Sequence, residues 1–191
     1  MRLWLVTILL ALPTVGLLLP SGRDLDRQLV AAAATATRSS EALEDVMRLG
    51  TKLGAREPVL VGLFLPAAFG TAAARLTAAT AFLSVVANQL ATSGLKYAIG
   101  RPRPDGDGER RNSSFPSAHA SGIAGLAWIV SARHRRWLPW MLLIAIWISS
   151  SRVFLERHYV SDVLAGALLG VWFAALALHW QGRIASWIRS K

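Results

Sequence analysis

The sequence predicts an all-α integral membrane bundle of six transmembrane helices, with a short helical segment outside the membrane between the first two. Three observations predict it. Of 191 residues, 53% are hydrophobic and 17% charged, against about 25% charged in typical soluble domains. The mean hydropathy is +0.41. Six apolar runs, at 3–19, 58–74, 76–95, 116–132, 137–151 and 160–180, approach the roughly 20 residues a crossing helix needs.

The run at 3–19 follows Arg2. A cleaved signal peptide has an apolar core of about 7–15 residues and a small-residue cleavage site. This run is longer and ends Leu-Pro-Ser-Gly-Arg without Ala-x-Ala, so a retained first span is expected, kinked at Pro13. Segment 21–57 is polar, with six Lys/Arg and six Asp/Glu. Its helix formers and a cap at Ser39 or Ser40 predict one or two amphipathic helices. A solvated connector is the plain reading; a lid or lipid portal over a site is the functional one. Arg75 between the second and third runs predicts a tight hairpin there. Asn88, Gln89, Thr92 and Ser93 make the third run polar towards Lys96, which taken alone reads as a snorkelling lysine.

Arg-Pro-Arg-Pro at 101–104 disfavours helix, and Asp105-Gly-Asp-Gly is turn chemistry. It lacks the ligand spacing and closing glutamate of a calcium loop. Ser114 is the expected N-cap of the fourth span, with Pro116 in its first turn. Ser117, Ser121 and Gly125 form a small-residue face, and Gly166-x-x-x-Gly170 in the sixth span suits close packing too. The loop 133–136 and the tail 183–191 are basic. No repeat or linker divides the chain, so 1–191 is read as a single domain, with 96–162 carrying its chemistry.

The net charge of +10 suits nucleic acid or an anionic membrane surface. No basic helix interleaved with polar residues supports nucleic acid, whereas arginines flanking spans face lipid phosphates. The absence of cysteine excludes disulfides and thiolate metal sites. Acids are few, no His-Glu-x-x-His occurs, and clustered cations repel a metal, so no metal and no cofactor are expected.

Ionisable groups at the ends of apolar runs are functional candidates by default. Lys96 and Arg103 are seven apart across a loop that can fold back. A guanidinium fork and an ammonium together can neutralise phosphoryl oxygens. Ser117 and His119 fall in the first turn of a helix, where unpaired N–H groups favour an anion. Ser117 adds a hydroxyl donor or simply caps. His119 can protonate a leaving group. His158 and Asp162 share one side if the sixth helix starts by Arg157, a nucleophile with its orienting carboxylate. Arg152, six before His158, can reach the same phosphate. Singly, these residues read as interfacial histidines and lipid-facing arginines; their convergence at three loop ends does not.

The order Lys96…Arg103-Pro104, Pro116-Ser117-Ala118-His119 and Ser151-Arg152…His158…Asp162 resembles the type 2 phosphatidic acid phosphatase superfamily. Ala118 stands where that family usually has glycine, a small change that tightens the site slightly. The resemblance implies a metal-independent phosphatase working through a phosphohistidine. It implies His158 as nucleophile, Asp162 orienting it and His119 protonating the leaving group. Lys96, Arg103, Ser117 and Arg152 would hold the phosphoryl oxygens. Soluble acid phosphatases and vanadium haloperoxidases of that superfamily are disfavoured by the hydropathy.

An apolar chain with a site at the membrane rim implies a lipid phosphate or diphosphate. Undecaprenyl diphosphate, phosphatidylglycerol phosphate and phosphatidic acid are the leading classes, with lipid A phosphate as the alternative. A non-catalytic phosphate-binding or transport protein is the reading from a different class. The expected location is a bacterial inner membrane, with the site facing outward. That places the acid-free 133–136 loop, the tail and Trp4, Trp137, Trp140 and Trp180 on the inner side. The Lys/Arg tally opposes it, 8 inside against 13 outside, but six of the 13 lie in 21–57 beside equal acid.

Overall fold

A computed structural model describes residues 3–106, 109 and 112–189, and among these every regular element is a helix. They are α1 (Leu3–Leu18), α2 (Pro20–Arg38), α3 (Glu41–Leu53), α4 (Arg56–Phe69), α5 (Ala72–Ile99), α6 (Ala118–Arg133), α7 (Leu138–Phe154) and α8 (Val160–Arg189). A 3₁₀ turn at Arg135–Trp137 leads into α7. Each of the six apolar runs is thus helical over most of its length, the second breaking after Phe69. By length and composition, Arg135–Phe154 and Val160–Gly182 can each cross a membrane, and α1 with α2 makes a third candidate only if that bent pair is one span. The shortfall has plain causes. The 14 residues of α4 and 16 of α6 rise about 21 and 24 Å, short of a hydrocarbon core of about 30 Å. The 28-residue α5 is long enough but carries Asn88, Thr92 and Lys96.

Pro13 lies inside α1, and the sharp turn that the sequence did not announce comes later, 99° between α1 and α2. There Leu19 is extended and Pro20 takes the first helical turn of α2, where a missing N–H costs nothing. Two local expectations need correction. The α4–α5 hairpin turns ahead of Arg75, with Thr71 capping α5 by accepting from the Ala74 N–H at 3.3 Å; Arg75 lies inside the helix. The cap of α6 is Ser117 rather than Ser114. Ser40 does cap α3, accepting from the Leu43 N–H at 3.3 Å.

The small-residue faces meet as their spacing implies. A side-chain carbon on Gly170 would sit 1.9 Å from the Ser121 carbonyl oxygen, and one on Gly166 would sit 2.4 Å from that of Ser117. Both obstacles are backbone, so only glycine lets α6 and α8 cross this closely. Beside that crossing, Leu63, Ala81, Ile129 and Ala174 form one core cluster. Val30, Ala120, Val153 and Val163 form another, and in it α2 packs against the ends of α6, α7 and α8. The polar segment after α1 is therefore docked. The Thr37 hydroxyl is 3.1 Å from the Phe154 carbonyl oxygen, and Arg38 pairs with Glu156.

Candidate active site

The site forms where α3, α5 and α7 end and α6 and α8 begin. Lys96, in the last turn of α5, donates to the backbone carbonyls of Ser113 and Ser114. Arg103 is buried; its Nε donates to the Asn112 carbonyl and a terminal nitrogen to the Asn112 side-chain oxygen, both at 2.6 Å. A third bond, 3.4 Å to the Arg157 carbonyl, ties this loop to the α7–α8 turn. Both cations thus fix the loop that leads into α6.

Ser117 is fully buried at the start of α6, where its hydroxyl accepts from the Ala120 N–H at 3.4 Å. Its own N–H donates to the Asp162 carbonyl at 2.9 Å, locking the first turn of α6 to that of α8. A capping hydroxyl still has its proton to donate. His119, in the first turn of α6, faces the Thr51 backbone at the end of α3. A side-chain carbon on Gly54 would lie 2.4 Å from Ile148 and 3.2 Å from the His119 ring, so glycine lets α3 close over the histidine.

Arg152, in the last turn of α7, donates from one terminal nitrogen to the Thr51 hydroxyl at 2.7 Å. The same hydroxyl is 3.0 Å from Ser151 Oγ. Arg152 Nε is buried and has no hydrogen-bond partner among the described residues, and Ser114 Oγ is in the same position. Leaving a buried donor unpaired is costly, and here the donor belongs to a cation.

His158 precedes α8 instead of lying in it, because the chain turns after Phe154 with Glu156 at φ 54°. The His158 and Arg157 N–H groups return to the Arg152 carbonyl at 3.0 and 2.9 Å, which seats the imidazole. Asp162 stands beside the ring, as the spacing implies, but the nearest acceptor to the ring nitrogen is a backbone carbonyl. Nδ1 lies 2.7 Å from the Ser114 carbonyl oxygen and 3.8 Å from Asp162. A carbonyl only accepts, so Nδ1 carries the proton and Nε2 keeps its lone pair. Asp162, fully buried, accepts from the Tyr159 N–H at 2.9 Å and from Arg101 at 2.6 Å. Burial, the larger influence, pulls the His158 pKa down to about 4 against the opposing pull of Asp162. The ring is neutral at pH 7, as a nitrogen nucleophile must be.

All seven sequence-predicted residues converge on this end of the molecule. His119 and His158 are within electrostatic reach of one another and of Arg152. Lys96 is within reach of Arg103, Arg152 and Asp162. Among the described residues no three His, Cys, Asp or Glu are grouped to hold a metal. Sequence reasoning missed Thr51, Arg101, Asp26 and the Ser114 carbonyl. Arg101 stood within the Arg-Pro-Arg-Pro signal but was passed over for Arg103. Nothing in the sequence sets Asp26 or Thr51 apart within 21–57.

A profile of the PAP2 superfamily matches residues 77–185, which covers every one of the seven residues. The chain belongs to the PAP2 superfamily. Among similar superfamily members is a lipid A 1-phosphatase of Rhizobium johnstonii, 34% identical over 107 residues, which are 50% of this chain and 44% of that protein. An undecaprenyl-diphosphatase of Sulfolobus acidocaldarius is 37% identical over 68 residues, 35% of this chain and 32% of that one. This chain thus spans less than half the length of these curated relatives. The fold is similar to the crystal structure of a transmembrane PAP2-type phosphatidylglycerolphosphate phosphatase from Bacillus subtilis. That likeness has a TM-score of 0.74 and 23% identity, over 96% of this chain and 97% of the other.

Proposed function

We propose that this chain is a six-span integral membrane phosphatase that hydrolyses a lipid phosphate or diphosphate without metal, through a phosphohistidine. Residues 1–191 act as one domain, with 96–162 supplying the chemistry. The observation that carries the reading is the pairing of two unspent groups. His158 has a neutral Nε2 because its Nδ1 is tied to Ser114, and Arg152 has a buried, unpartnered Nε. A bare nucleophile beside an unsatisfied cation fits an oxyanion with an electrophilic phosphorus.

In this mechanism His158 Nε2 attacks phosphorus. Arg152, Lys96, Arg103 and the Ser117 hydroxyl take up the charge on the equatorial oxygens. His119 gives the leaving oxygen its proton and then activates the water that cleaves the phosphoramidate. Asp162 supplies negative charge 3.8 Å from the ring, where the imidazole loses its neutrality.

The lipid part of the reading has its own support. An apolar groove of about 1060 Å³ runs between α1, α2, α6, α7 and α8, past Leu9, Leu29, Trp128, Leu142 and Leu164. It reaches Val153, Val160 and Val163 beside the site, though no phosphate-handling residue lines it. Prenyl diphosphate, phosphatidylglycerol phosphate and phosphatidic acid all suit this chemistry, and the lipid A 1-phosphatase likeness puts lipid A phosphate on the same panel.

The test is phosphate release from that panel by the purified full chain in excess chelator. Release from one lipid, abolished by His158→Ala, is expected. No release from any, or release only with an added divalent cation, overturns the proposal.

A further inference from the structure

Asp26 and Asp162 are both fully buried, one on α2 and the other on α8. Arg101 stands between them. One terminal nitrogen donates to Asp162 at 2.6 Å and to Ser161 Oγ at 2.7 Å; the other donates to Asp26 at 3.1 Å. Its guanidinium lies 4.1 Å over the centre of the Tyr159 ring, a favourable cation–π distance. Asp26 is held in turn by the Ser161 N–H at 3.2 Å and the Ser161 hydroxyl at 2.5 Å. Two buried carboxylates, one planar fork and a hydroxyl thus form a closed network, of which the phosphate chemistry above uses only Asp162.

Its consequence falls on His158. Asp162 is 3.8 Å from Nδ1, and the Ser114 carbonyl is at 2.7 Å. An ionised carboxylate is the stronger acceptor for a ring N–H. It does not displace the carbonyl because Arg101 and the Tyr159 N–H hold its oxygens in place, 3.8 Å from the ring nitrogen. We propose that Arg101, clamped to α2 by Asp26, is a positioning residue that keeps Asp162 off the His158 ring and leaves Nδ1 to the Ser114 carbonyl. The segment after α1, which reads as a connector in sequence, then holds the nucleophile's setting through Asp26. The proposal rests on the phosphatase reading for its catalytic meaning, not for its test.

Every charged or titratable neighbour of the ring enters that test. Lys96 comes from α5, Arg103 from the loop, His119 from α6 and Arg152 from α7. Arg157 and Tyr159 belong to the turn, and Asp162 to α8. Of these, only Asp162 is a carboxylic acid, and its ion pair with Arg101 offsets part of its pull on the ring. Removing Arg101 leaves one ionised carboxylate free to turn onto the imidazole, and an opposite charge that close raises a histidine pKa by about one unit or more.

The measurement is ¹H–¹⁵N spectroscopy of histidine-labelled full chain in detergent, following the His158 ring with pH and without substrate. The wild-type ring should show the Nδ1–H tautomer and a low midpoint. Arg101→Met should raise that midpoint by about one pH unit, and in the Asp162→Asn background the same change should move it less than half as far. Should Arg101→Met fail to fold, Arg101→Lys serves, because one ammonium cannot bridge two carboxylates; a smaller rise in the same direction is expected. An unmoved midpoint in the folded variant, or an equal rise in the Asp162→Asn background, overturns the proposal. A wild-type protein that shows these titrations but releases no phosphate would sink the phosphatase reading and leave this one standing.

Discussion

His158 shows how burial and a single backbone contact set reactivity. Its pKa is pulled to about 4, chiefly by desolvation. The folded chain therefore binds fewer protons here than the unfolded chain, whose histidine titrates near 6.5. The stability this contributes is present above about pH 6.5 and is lost as pH falls through about 4. The rate should follow the same titration. Activity per folded molecule should hold from pH 7 down to about 5 and fall tenfold per unit below the midpoint, once folding is checked by circular dichroism. A fall centred at 6.5 would mean an exposed ring. Arg152 carries the second residue-scale prediction. Its fork holds Thr51 with one terminal nitrogen and leaves Nε to a ligand. A lysine offers one ammonium in place of that geometry. Arg152→Lys should lower kcat/KM by about 10²–10³, while thermal unfolding in detergent moves little. The residues of this chemistry were legible in sequence because their types and spacings are unusual among apolar runs. The Ser114 carbonyl was not, because every residue has one and only the fold says which carbonyl faces a ring.

At the scale of elements, the α6–α8 crossing was the most readable feature. Small residues four apart on both helices mark a close approach, and Gly170 against the Ser121 carbonyl is that approach. Gly170→Ala places a carbon 1.9 Å from backbone, so the helices must separate. Overpacking of this kind costs about 1–3 kcal/mol. A lowered melting temperature should come with lost activity, since the Ser117 N–H bond to Asp162 spans the same crossing. The start of α8 was not readable. A run from 157 would have placed His158 and Asp162 on one helical face, but Glu156 at positive φ and the return bonds to Arg152 form a turn first. Hydropathy does not register such a turn. The role of α3 was equally hidden. Thr51→Val keeps shape but leaves an Arg152 nitrogen buried without its partner, a loss of about 1–3 kcal/mol. We expect a higher KM for the phosphate and a smaller change in kcat, measured by steady-state phosphate release.

For the whole molecule, the open matter is how the bundle sits in a bilayer. The site lies where α7 ends and α8 begins. The exposed Trp137 and Trp140 lie at the start of α7, and Trp180 lies 20 residues along α8 from its start, or about 30 Å. Site and aromatic residues thus mark opposite ends of these two helices, at the spacing of a hydrocarbon core. The sequence carried this polarity because both are composition signals. It did not carry the number of crossings, since α4 and α6 are short and α5 turns polar towards Lys96, so hydropathy alone separates them poorly from buried helices. Charge favours the tryptophan end as the inner one, because the 133–136 loop has three arginines and no acid. The higher Lys/Arg count at the other end is weaker evidence, since Arg103 and Arg152 are buried in the site and Arg101, Arg38 and Arg157 are paired with acids. Single cysteines in this cysteine-free chain should decide it. Glu109→Cys, on the loop beside the site, should react with an impermeant maleimide in intact cells. His134→Cys should react only after the membrane is opened. The reverse pattern would turn the site inward, and labelling of both in intact cells would mean that the two loops share one side and that the six-span reading is wrong.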